Sequence, residues 1–271
     1  MKKFVSKMLA GALSLSMLCG VAAAEGETYV SWYTFGDVYL SSVRTALDAA
    51  MEAKGLKVVD KDSNANQQTQ TDDINTALVT GANAIVINLV ESGAIGTAEN
   101  LMNAVSAQNL PVVFFNRAVS TDNAEAEALF KGYDKSVFVG TDFTQAGIMQ
   151  GKMIGEYVLE HFDELDLNHD GKISYVMFKG DEANQEAIAH TKYGVECADE
   201  VLTAAGKPAL EFYDASNANK YLVDLNGTWS NTASFDYMQT ILAQYNEANN
   251  NMVEVVICNN DDMALGAINA L

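Results

Sequence analysis

The chain is poor in the residues that mark several common protein classes. Its 271 residues include two prolines, which exclude a proline-rich linker, and three cysteines, which are too few for a fold built on disulfides. Cys258 ends an apolar run and is predicted to be buried and inert rather than paired. Histidine occurs only at His161, His169 and His190, and no Gly-x-Ser-x-Gly motif is present. The sequence therefore offers no nucleophile–base arrangement.

Basic residues are scarce as well. The formal net charge is −20, which argues against nucleic acid or an anionic membrane surface as a partner. Phosphate-binding glycine loops are missing too, because the segment Thr34–Tyr39 after the first predicted strand fits neither a dinucleotide fingerprint nor a P-loop. The residues therefore do not indicate a nucleotide-dependent enzyme, whichever fold carries them.

The N-terminus has the order of a secretory signal peptide. Two lysines follow Met1, an apolar run covers residues 8–21, and three alanines end at Ala24. We predict a signal peptide over residues 1–24 and an exported, periplasmic or extracellular protein. The apolar run is short for a membrane span. Cys19 leaves lipid anchoring open as a less favoured alternative, because Leu18 precedes it where a small residue is usual.

Short apolar runs alternate with longer helical patterns through the rest of the chain. Strands are predicted at 29–33, 57–60, 84–89, 111–115, 136–139, 173–178, 209–213 and 253–258, and helices at 38–54, 69–80, 94–108, 144–161, 185–205 and 234–245. This alternation predicts an α/β fold with mostly parallel sheets covered by helices on both faces.

Residues 120–133 interrupt the alternation. The segment is polar and has no clear strand, so we interpret it as the crossing between two lobes. The predicted domains are an N-terminal lobe, residues 25–137, and a C-terminal lobe, residues 138–271. Two such doubly wound lobes joined by a hinge are expected to form a cleft that closes on a ligand.

Residues 166–174 have the spacing of a calcium-binding loop. The predicted donors are the side chains of Asp166, Asn168 and Asp170, the carbonyl of Lys172 and the hydroxyl of Ser174. Gly171 stands at the turn position, but position 12 is Met177 in a predicted strand rather than the usual glutamate. The pattern predicts a Ca²⁺ site that needs a carboxylate from elsewhere, and the alternative is a metal-free turn rich in Asp and Asn.

Polar and aromatic side chains follow several predicted strands, where ligands bind to α/β sheets. The candidate binding residues are Asp37, Tyr39, Asn116, Asn184, Glu186, His190, Trp229 and Asn260. Carboxylates and amides pair with sugar hydroxyls, and aromatic rings stack on the C–H faces of a pyranose. The set predicts a monosaccharide site. Each residue also has a structural explanation, such as a helix N-cap at Asp37 or a core position for Trp229.

From about residue 28 onward the sequence resembles the periplasmic galactose/glucose-binding proteins of ABC-type sugar uptake. The likeness rests on Asp37-Val38-Tyr39, on the calcium loop, and on the strand that ends in Asn259-Asn260-Asp261. It implies a type I periplasmic-binding fold, a structural Ca²⁺ and delivery of a monosaccharide to a membrane ABC permease, with a chemoreceptor as a further partner in some members. It also implies that Glu254 supplies the missing calcium ligand.

The sequence departs from this family at four positions. Asn184 replaces a histidine, Glu186 an aspartate and His190 an arginine, whereas Ser174 stands where a longer amide is usual. Arginine donates a fixed pair of hydrogen bonds and histidine does not, so the identity of the sugar stays open.

The last residues, 267–271, lie early in a predicted helix without a C-cap. The resemblance implies further chain after them, so we expect a C-terminally truncated second lobe. We expect a monomer that is not an enzyme. Two alternatives stay open: a secreted carbohydrate-active hydrolase that uses Asp37 and Glu186 as paired carboxylates, and a sensory sugar-binding module.

Overall fold

The computed structural model describes residues 26–271, so the predicted signal peptide and Cys19 lie outside the described residues. The chain forms two compact units that divide between Thr141 and Asp142, slightly beyond the predicted boundary at residues 137 and 138. Each unit is an α/β fold with a parallel sheet, as predicted. Between residues 26 and 271, no helix combines the length and apolar character needed to cross a membrane.

The first unit contains a five-stranded parallel sheet in the order β2-β1-β3-β4-β5. Its strands are β1 (Glu27–Trp32), β2 (Lys57–Asp62), β3 (Ala84–Ile87), β4 (Val112–Phe115) and β5 (Ser136–Val139), and its helices are α1 (Val38–Glu52), α2 (Gln67–Thr80), α3 (Ile95–Ala107) and α4 (Asn123–Lys131). The winding direction changes between β1 and β3. In doubly wound sheets the ligand binds at the carboxyl ends of the strands at such a point.

Both faces of this sheet are covered, which explains the nearly continuous apolar runs in its strands. Ile85 and Ile87 pack with α2 and α3 on one face, whereas Val86 packs with α1 on the other, together with Val30 and Trp32 of β1. All five of these side chains are buried. The core therefore fixes the strands and leaves their carboxyl ends to carry polar residues.

The segment predicted to be the crossing between lobes, residues 120–133, is instead part of the first unit. Asp122 accepts hydrogen bonds from the backbone of Ala124 and Glu125 and starts α4, and the chain then forms β5, which pairs in parallel with β4. Only a narrow apolar face, with Leu129 and Phe130, packs on the core. The remaining positions of the helix are mostly exposed and polar, so the hydrophobic period was too weak to reveal it.

The second unit is built around β6, which pairs in parallel with three other strands. Its strands are β6 (Ser174–Lys179), β7 (Glu211–Phe212), β8 (Leu222–Val223) and β9 (Val255–Cys258); its helices are α5 (Phe143–Glu160), α6 (Phe162–Leu165), α7 (Gln185–Ala204), α8 (Asn231–Leu242) and α9 (Asp261–Asn269), with a 3₁₀ turn at Glu247–Asn249. The strand predicted at 209–213 is shorter in the structure, where β7 covers two residues. The two-residue β8 was not predicted, because so short a strand has no detectable period.

Three glycines set the distance between α5 and α7. Gly147, Gly151 and Gly155 are buried and follow one another at intervals of one helical turn on the face of α5 that meets α7. A Cβ atom on Gly147 would lie 2.5 Å from the carbonyl oxygen of Ala189, and one on Gly151 would overlap the carbonyl of Tyr193. The backbones of the two helices therefore approach more closely than any larger residue allows.

We expect Gly151→Ala to destabilise the protein by about 1–3 kcal/mol, because the added methyl group meets the backbone of α7 and both helices must shift. Urea unfolding measures this change. The matched control is Gly96→Ala on α3, where a Cβ atom meets nothing within 4 Å. The control should change stability by less than about 1 kcal/mol. Equal stability of the two variants would show that the glycine contacts do not limit the approach of α5 and α7.

Candidate functional site

In the first unit, the predicted residues Asp37 and Tyr39 lie where α1 begins, after β1. Asp37 is the N-cap of α1, since Oδ1 accepts a hydrogen bond from the backbone N–H of Leu40 at 2.8 Å. Its second oxygen, Oδ2, accepts a hydrogen bond from the Tyr33 hydroxyl at 2.9 Å. Tyr39 is 56% exposed. The carboxylate of Asp37 is thus held in one orientation from two directions.

Asn88 connects this group to Asn116, which follows β4. Asn88 is fully buried; its Oδ1 accepts from the backbone N–H of Tyr33 at 3.3 Å, and its Nδ2 donates to Asn116 Oδ1 at 3.0 Å. Asn116 has φ of 60°, a left-handed conformation that asparagine tolerates better than most residues. A chain of hydrogen bonds therefore joins the predicted residues Asp37 and Asn116 through Tyr33 and Asn88.

Two further residues stabilise this group. The buried Gln70 of α2 donates from Nε2 to the carbonyl of Asn88 at 2.9 Å and accepts from the backbone N–H of Val90 at 3.0 Å. The guanidinium of Arg117 lies 4.3 Å from the centre of the Tyr33 ring and donates to the carbonyl of Val90 at 3.1 Å. Asn88 could have been found by its place after β3, whereas the role of Gln70 depends on tertiary contacts that sequence spacing does not reveal.

In the second unit, three predicted residues lie on the first two turns of α7. Asn184 is buried and caps the helix, because its Oδ1 accepts from the backbone N–H groups of Glu186 and Ala187 at 2.8 and 3.2 Å. Glu186 and His190 are one turn apart, with 4.0 Å between Glu186 Oε1 and His190 Nε2. The other ring nitrogen of His190, Nδ1, lies 2.6 Å from Oε1 of Gln150 on α5. Burial lowers the pKa of His190 below its usual value.

The remaining two predicted residues, Trp229 and Asn260, are in direct contact. Asn260 caps α9 by accepting from the N–H of Met263 at 2.9 Å, and its Nδ2 donates to the carbonyl of Trp229 at 3.3 Å. Trp229 is 7% exposed and its ring lies so close to Gly180 that a Cβ atom there would overlap it. The indole N–H of Trp229 is buried, and no hydrogen-bond partner for it is found in residues 26–271.

The buried side chain of Asn259 links these groups within the second unit. Its Oδ1 accepts from the backbone N–H of Gly180 at 3.0 Å, and its Nδ2 donates to the hydroxyl of Thr191 at 3.2 Å. Gly180 contacts Trp229, and Thr191 follows His190 on α7. The structure therefore brings the candidate residues together in two sets: Asp37, Tyr39 and Asn116 in the first unit, and Asn184, Glu186, His190, Trp229 and Asn260 in the second.

Two carboxylates hold the predicted calcium loop together through hydrogen bonds to its backbone, one from within the loop and one from outside it. Asp166 accepts from the backbone N–H groups of Asp170 and Gly171 at 3.0 and 2.9 Å. Glu254, which precedes β9, accepts from the N–H of Leu167 at 2.8 Å and from that of Ser174 at 2.7 Å. Glu254 thus reaches both ends of the loop, where the resemblance places a ligand.

The other predicted donors also lie in this loop. Asn168 Oδ1 accepts from the N–H of Asp170 at 3.1 Å, and the hydroxyl of Ser174 donates to the carbonyl of Met252. The Lys172 ammonium pairs with Glu211 at 2.7 Å. Carboxylate, amide, carbonyl and hydroxyl oxygens are the donors that Ca²⁺ takes. In the part of the chain from residue 26 onward, however, no three His, Cys, Asp or Glu side chains are arranged to hold a metal ion.

A groove of about 410 Å³ in the first unit lies away from all of these residues. It runs between α3 and α4 and is lined by Glu99 and Met102 of α3, by Leu129 of α4 and by Tyr133, which follows α4. None of the candidate binding residues lines it. The groove lies between two helices, whereas ligands of doubly wound sheets bind at the carboxyl ends of the strands, so the strand ends remain the candidate site of this unit.

Comparison with known proteins extends these observations. A family described as the periplasmic binding protein domain matches residues 28–271. The D-galactose/methyl-galactoside binding periplasmic protein of Haemophilus influenzae is 32% identical over 99% of this chain and 73% of its own length. The ribose import binding protein of Bacillus subtilis is 23% identical over 100% of the chain and 77% of its own length. Both relatives are solute-binding proteins, which confirms that the chain is not an enzyme.

Solved structures agree on the fold. A solute-binding protein from Clostridium phytofermentans with bound β-D-glucose has a TM-score of 0.67 at 19% identity, over 90% of this chain and 68% of that one. A Caulobacter myo-inositol binding protein has a TM-score of 0.65 at 19% identity, over 92% and 70%. At this identity the likeness concerns the fold alone. The family match over residues 28–271 and the 32% identity to the Haemophilus influenzae protein show that the chain belongs to the type I periplasmic sugar-binding proteins.

Proposed function

We propose that the protein binds a galactose- or glucose-like monosaccharide and delivers it to an ABC-type membrane permease. The observation that carries this proposal is the hydrogen-bonded chain from Asp37 through Tyr33 and Asn88 to Asn116. It holds a carboxylate after β1 and an amide after β4 in fixed orientations, on either side of β3, which Asn88 follows. Binding groups that are ordered before the ligand arrives lose little conformational entropy on binding.

The chemistry of both sets suits a sugar. Each sugar hydroxyl donates and accepts, so a carboxylate such as Asp37 and an amide such as Asn116 can each engage one or two of them. In the second unit Trp229 provides an aromatic ring and an indole N–H, and Asn260 provides an amide beside it. We propose that both sets contribute to monosaccharide binding.

The relatives support the ligand class and leave its identity open. The Haemophilus influenzae protein is named for D-galactose and methyl-galactoside, and the Bacillus subtilis protein for ribose. The departures at Asn184, Glu186 and His190 fall in the second set. We therefore propose a monosaccharide related to galactose, with its substituents selected by these three residues.

Export and delivery follow from the same proposal. Residues 1–24 have the order of a signal peptide, and the family to which the chain belongs is periplasmic. The net charge of −20 supports a protein that works away from nucleic acid and anionic lipid surfaces. A membrane permease is the proposed partner, and a chemoreceptor is a second one that the same sugar-bound protein could serve.

Asp37→Ser tests the first set, because serine keeps the helix cap but removes the carboxylate. We expect monosaccharide affinity to fall by about 10- to 150-fold, the effect of losing one charge-assisted hydrogen bond of about 1.5–3 kcal/mol. Isothermal titration with D-galactose and D-glucose measures the loss. Asp122→Ser, at the N-cap of α4, is the matched control and should bind like the unaltered protein. Equal affinity in the two variants would contradict a role for Asp37 in binding.

We further propose that the loop over residues 166–174 binds Ca²⁺ as a structural ion. The donors would be Asp166, Asn168, Asp170, the Lys172 carbonyl, Ser174 and Glu254. The contacts of Glu254 with the N–H groups at both ends of the loop support this assignment. An ion bound there would join the loop to the segment before β9, so its effect would be on stability rather than on sugar chemistry.

Calcium at roughly 100 times its Kd should raise the free energy of unfolding by about 2.7 kcal/mol, because only the folded loop binds it. Thermal unfolding with added Ca²⁺, and again after chelation, measures this difference. Glu254→Gln should abolish the response, whereas Glu200→Gln at an exposed position of α7 should retain it. An unaltered protein that melts at the same temperature with calcium and with chelator would contradict the proposed site.

A further inference from the structure

Resting on the proposed function, we propose that Gln150 fixes His190 as the tautomer protonated at Nδ1, so that Nε2 accepts a hydrogen bond from the bound monosaccharide. The ligand must then present a hydrogen-bond donor at this place, which is a hydroxyl or an amino group. Gln150 is a positioning residue in this proposal, and His190 determines which substituent the site accepts.

The orientation of the Gln150 amide follows from its neighbours. Its Nε2 donates to the backbone carbonyl of Cys258, at the end of β9, over 3.0 Å. A carbonyl oxygen only accepts, so the amide nitrogen must face it and Oε1 must face His190. The amide oxygen, 2.6 Å from Nδ1, also only accepts. The proton of the imidazole is therefore on Nδ1.

The surroundings keep His190 neutral. Burial lowers its pKa, and on α5 the group that faces it, Gln150, is uncharged. Cys258 of β9 has its pKa raised to about 12 by burial, so its thiol is uncharged as well. The charged group near the ring is Glu186 on α7, with Oε1 4.0 Å from Nε2. A neutral imidazole with its proton on Nδ1 has only a lone pair on Nε2.

The His190 side chain is partly exposed, and no hydrogen bond of Nε2 is found within residues 26–271. The His190 side chain keeps 15% of its surface exposed, and Glu186 lies beyond hydrogen-bond distance of Nε2. Because Nε2 and the carboxylate are both acceptors, they cannot hydrogen-bond to each other, and Nε2 can accept a hydrogen bond from a ligand. An arginine at this position would only donate, so a site with His190 has the opposite requirement.

A site that accepts through His190 and a site that donates through an arginine should differ in their affinity for substituted sugars. A hydroxyl both donates and accepts, and it satisfies either kind of site. Fluorine or a methoxy group only accepts and would leave Nε2 of His190 without a partner, whereas an amino group donates. At one ring position the affinity should therefore be retained by the aminodeoxy analogue and reduced about tenfold or more by the deoxyfluoro analogue.

Nitrogen-15 NMR of the sugar-free protein tests the tautomer without depending on sugar binding. At neutral pH, His190 should show a protonated Nδ1 and an unprotonated Nε2, and His161 and His169 provide references in the same spectrum. A proton on Nε2 would overturn the inference. Gln150→Glu should raise the pKa of His190 by placing a carboxylate on Nδ1, whereas Gln145→Glu, an exposed position of the same helix, should leave it unchanged. Equal pKa values in the two variants would also overturn it.

Titration calorimetry tests the ligand requirement with D-galactose, D-glucose and their deoxyfluoro and aminodeoxy analogues at each hydroxyl. In the unaltered protein one position should reject fluorine and accept an amino group, and in His190→Arg that same position should show the reverse preference. An unchanged preference in the variant would overturn the assignment to His190. If neither parent sugar binds the unaltered protein, the proposed function fails, while the tautomer measured by NMR still stands or falls independently.

The pH dependence has a defined sign. His190 has a lowered pKa in the folded protein, so it accepts through Nε2 at neutral pH and loses this ability when a proton occupies Nε2 at lower pH. Affinity for the parent sugar should therefore fall as the pH drops from about 8 to about 5. In Gln150→Glu the fall should begin at a higher pH than in Gln145→Glu. Identical profiles in the two variants would count against the coupling of Gln150 to the ligand.

Discussion

Both units depend on hydrogen bonds that side-chain amides make with the backbone at the carboxyl ends of the strands. A parallel strand that stops at its carboxyl end leaves backbone groups that must find new partners. In the first unit the buried Gln70 donates to the carbonyl of Asn88 over 2.9 Å. In the second unit Gln150 donates to the carbonyl of Cys258 over 3.0 Å. In each unit, therefore, a helix glutamine satisfies the carbonyl at or just beyond a strand end.

Buried asparagines complete the same arrangement. Asn88 follows β3 and Asn259 follows β9, and each uses both its oxygen and its nitrogen to join neighbouring segments. Polar groups that are fully satisfied inside a protein hold one conformation, because any rearrangement leaves a buried partner without a hydrogen bond. Asn116 bonds directly to Asn88, and Asp37 is joined to it through Tyr33, so the orientation of these two candidate residues follows from hydrogen bonds that the sheet itself requires.

The helix caps also use polar side chains to satisfy backbone groups near the strand ends. Asp37, Asn184 and Asn260 each accept hydrogen bonds from the first turn of a helix that starts at a strand end. The sequence predicts all three as candidate binding residues, and for Asp37 it also indicates a helix N-cap. Sequence spacing located most strands and helices within a few residues, since their apolar periods are strong. It missed α4, whose apolar face is narrow, and the contacts of Gln70 and Gln150, which arise only when a helix packs on a sheet.

The two glutamines differ in one respect that bears on specificity. Gln70 directs both ends of its amide to the main chain, at Asn88 and Val90. Gln150 directs one end to the main chain and the other to the side chain of His190. A substitution at residue 190 can therefore change what the second unit presents to a ligand without disturbing the strand end. The first unit has no such freedom at Gln70, because two of its contacts support the backbone and the third, from Nε2 to the Ser31 hydroxyl at 3.0 Å, joins α2 to β1. This difference gives a physical reason why the departures from the galactose/glucose-binding pattern fall in the second set and the first set keeps it.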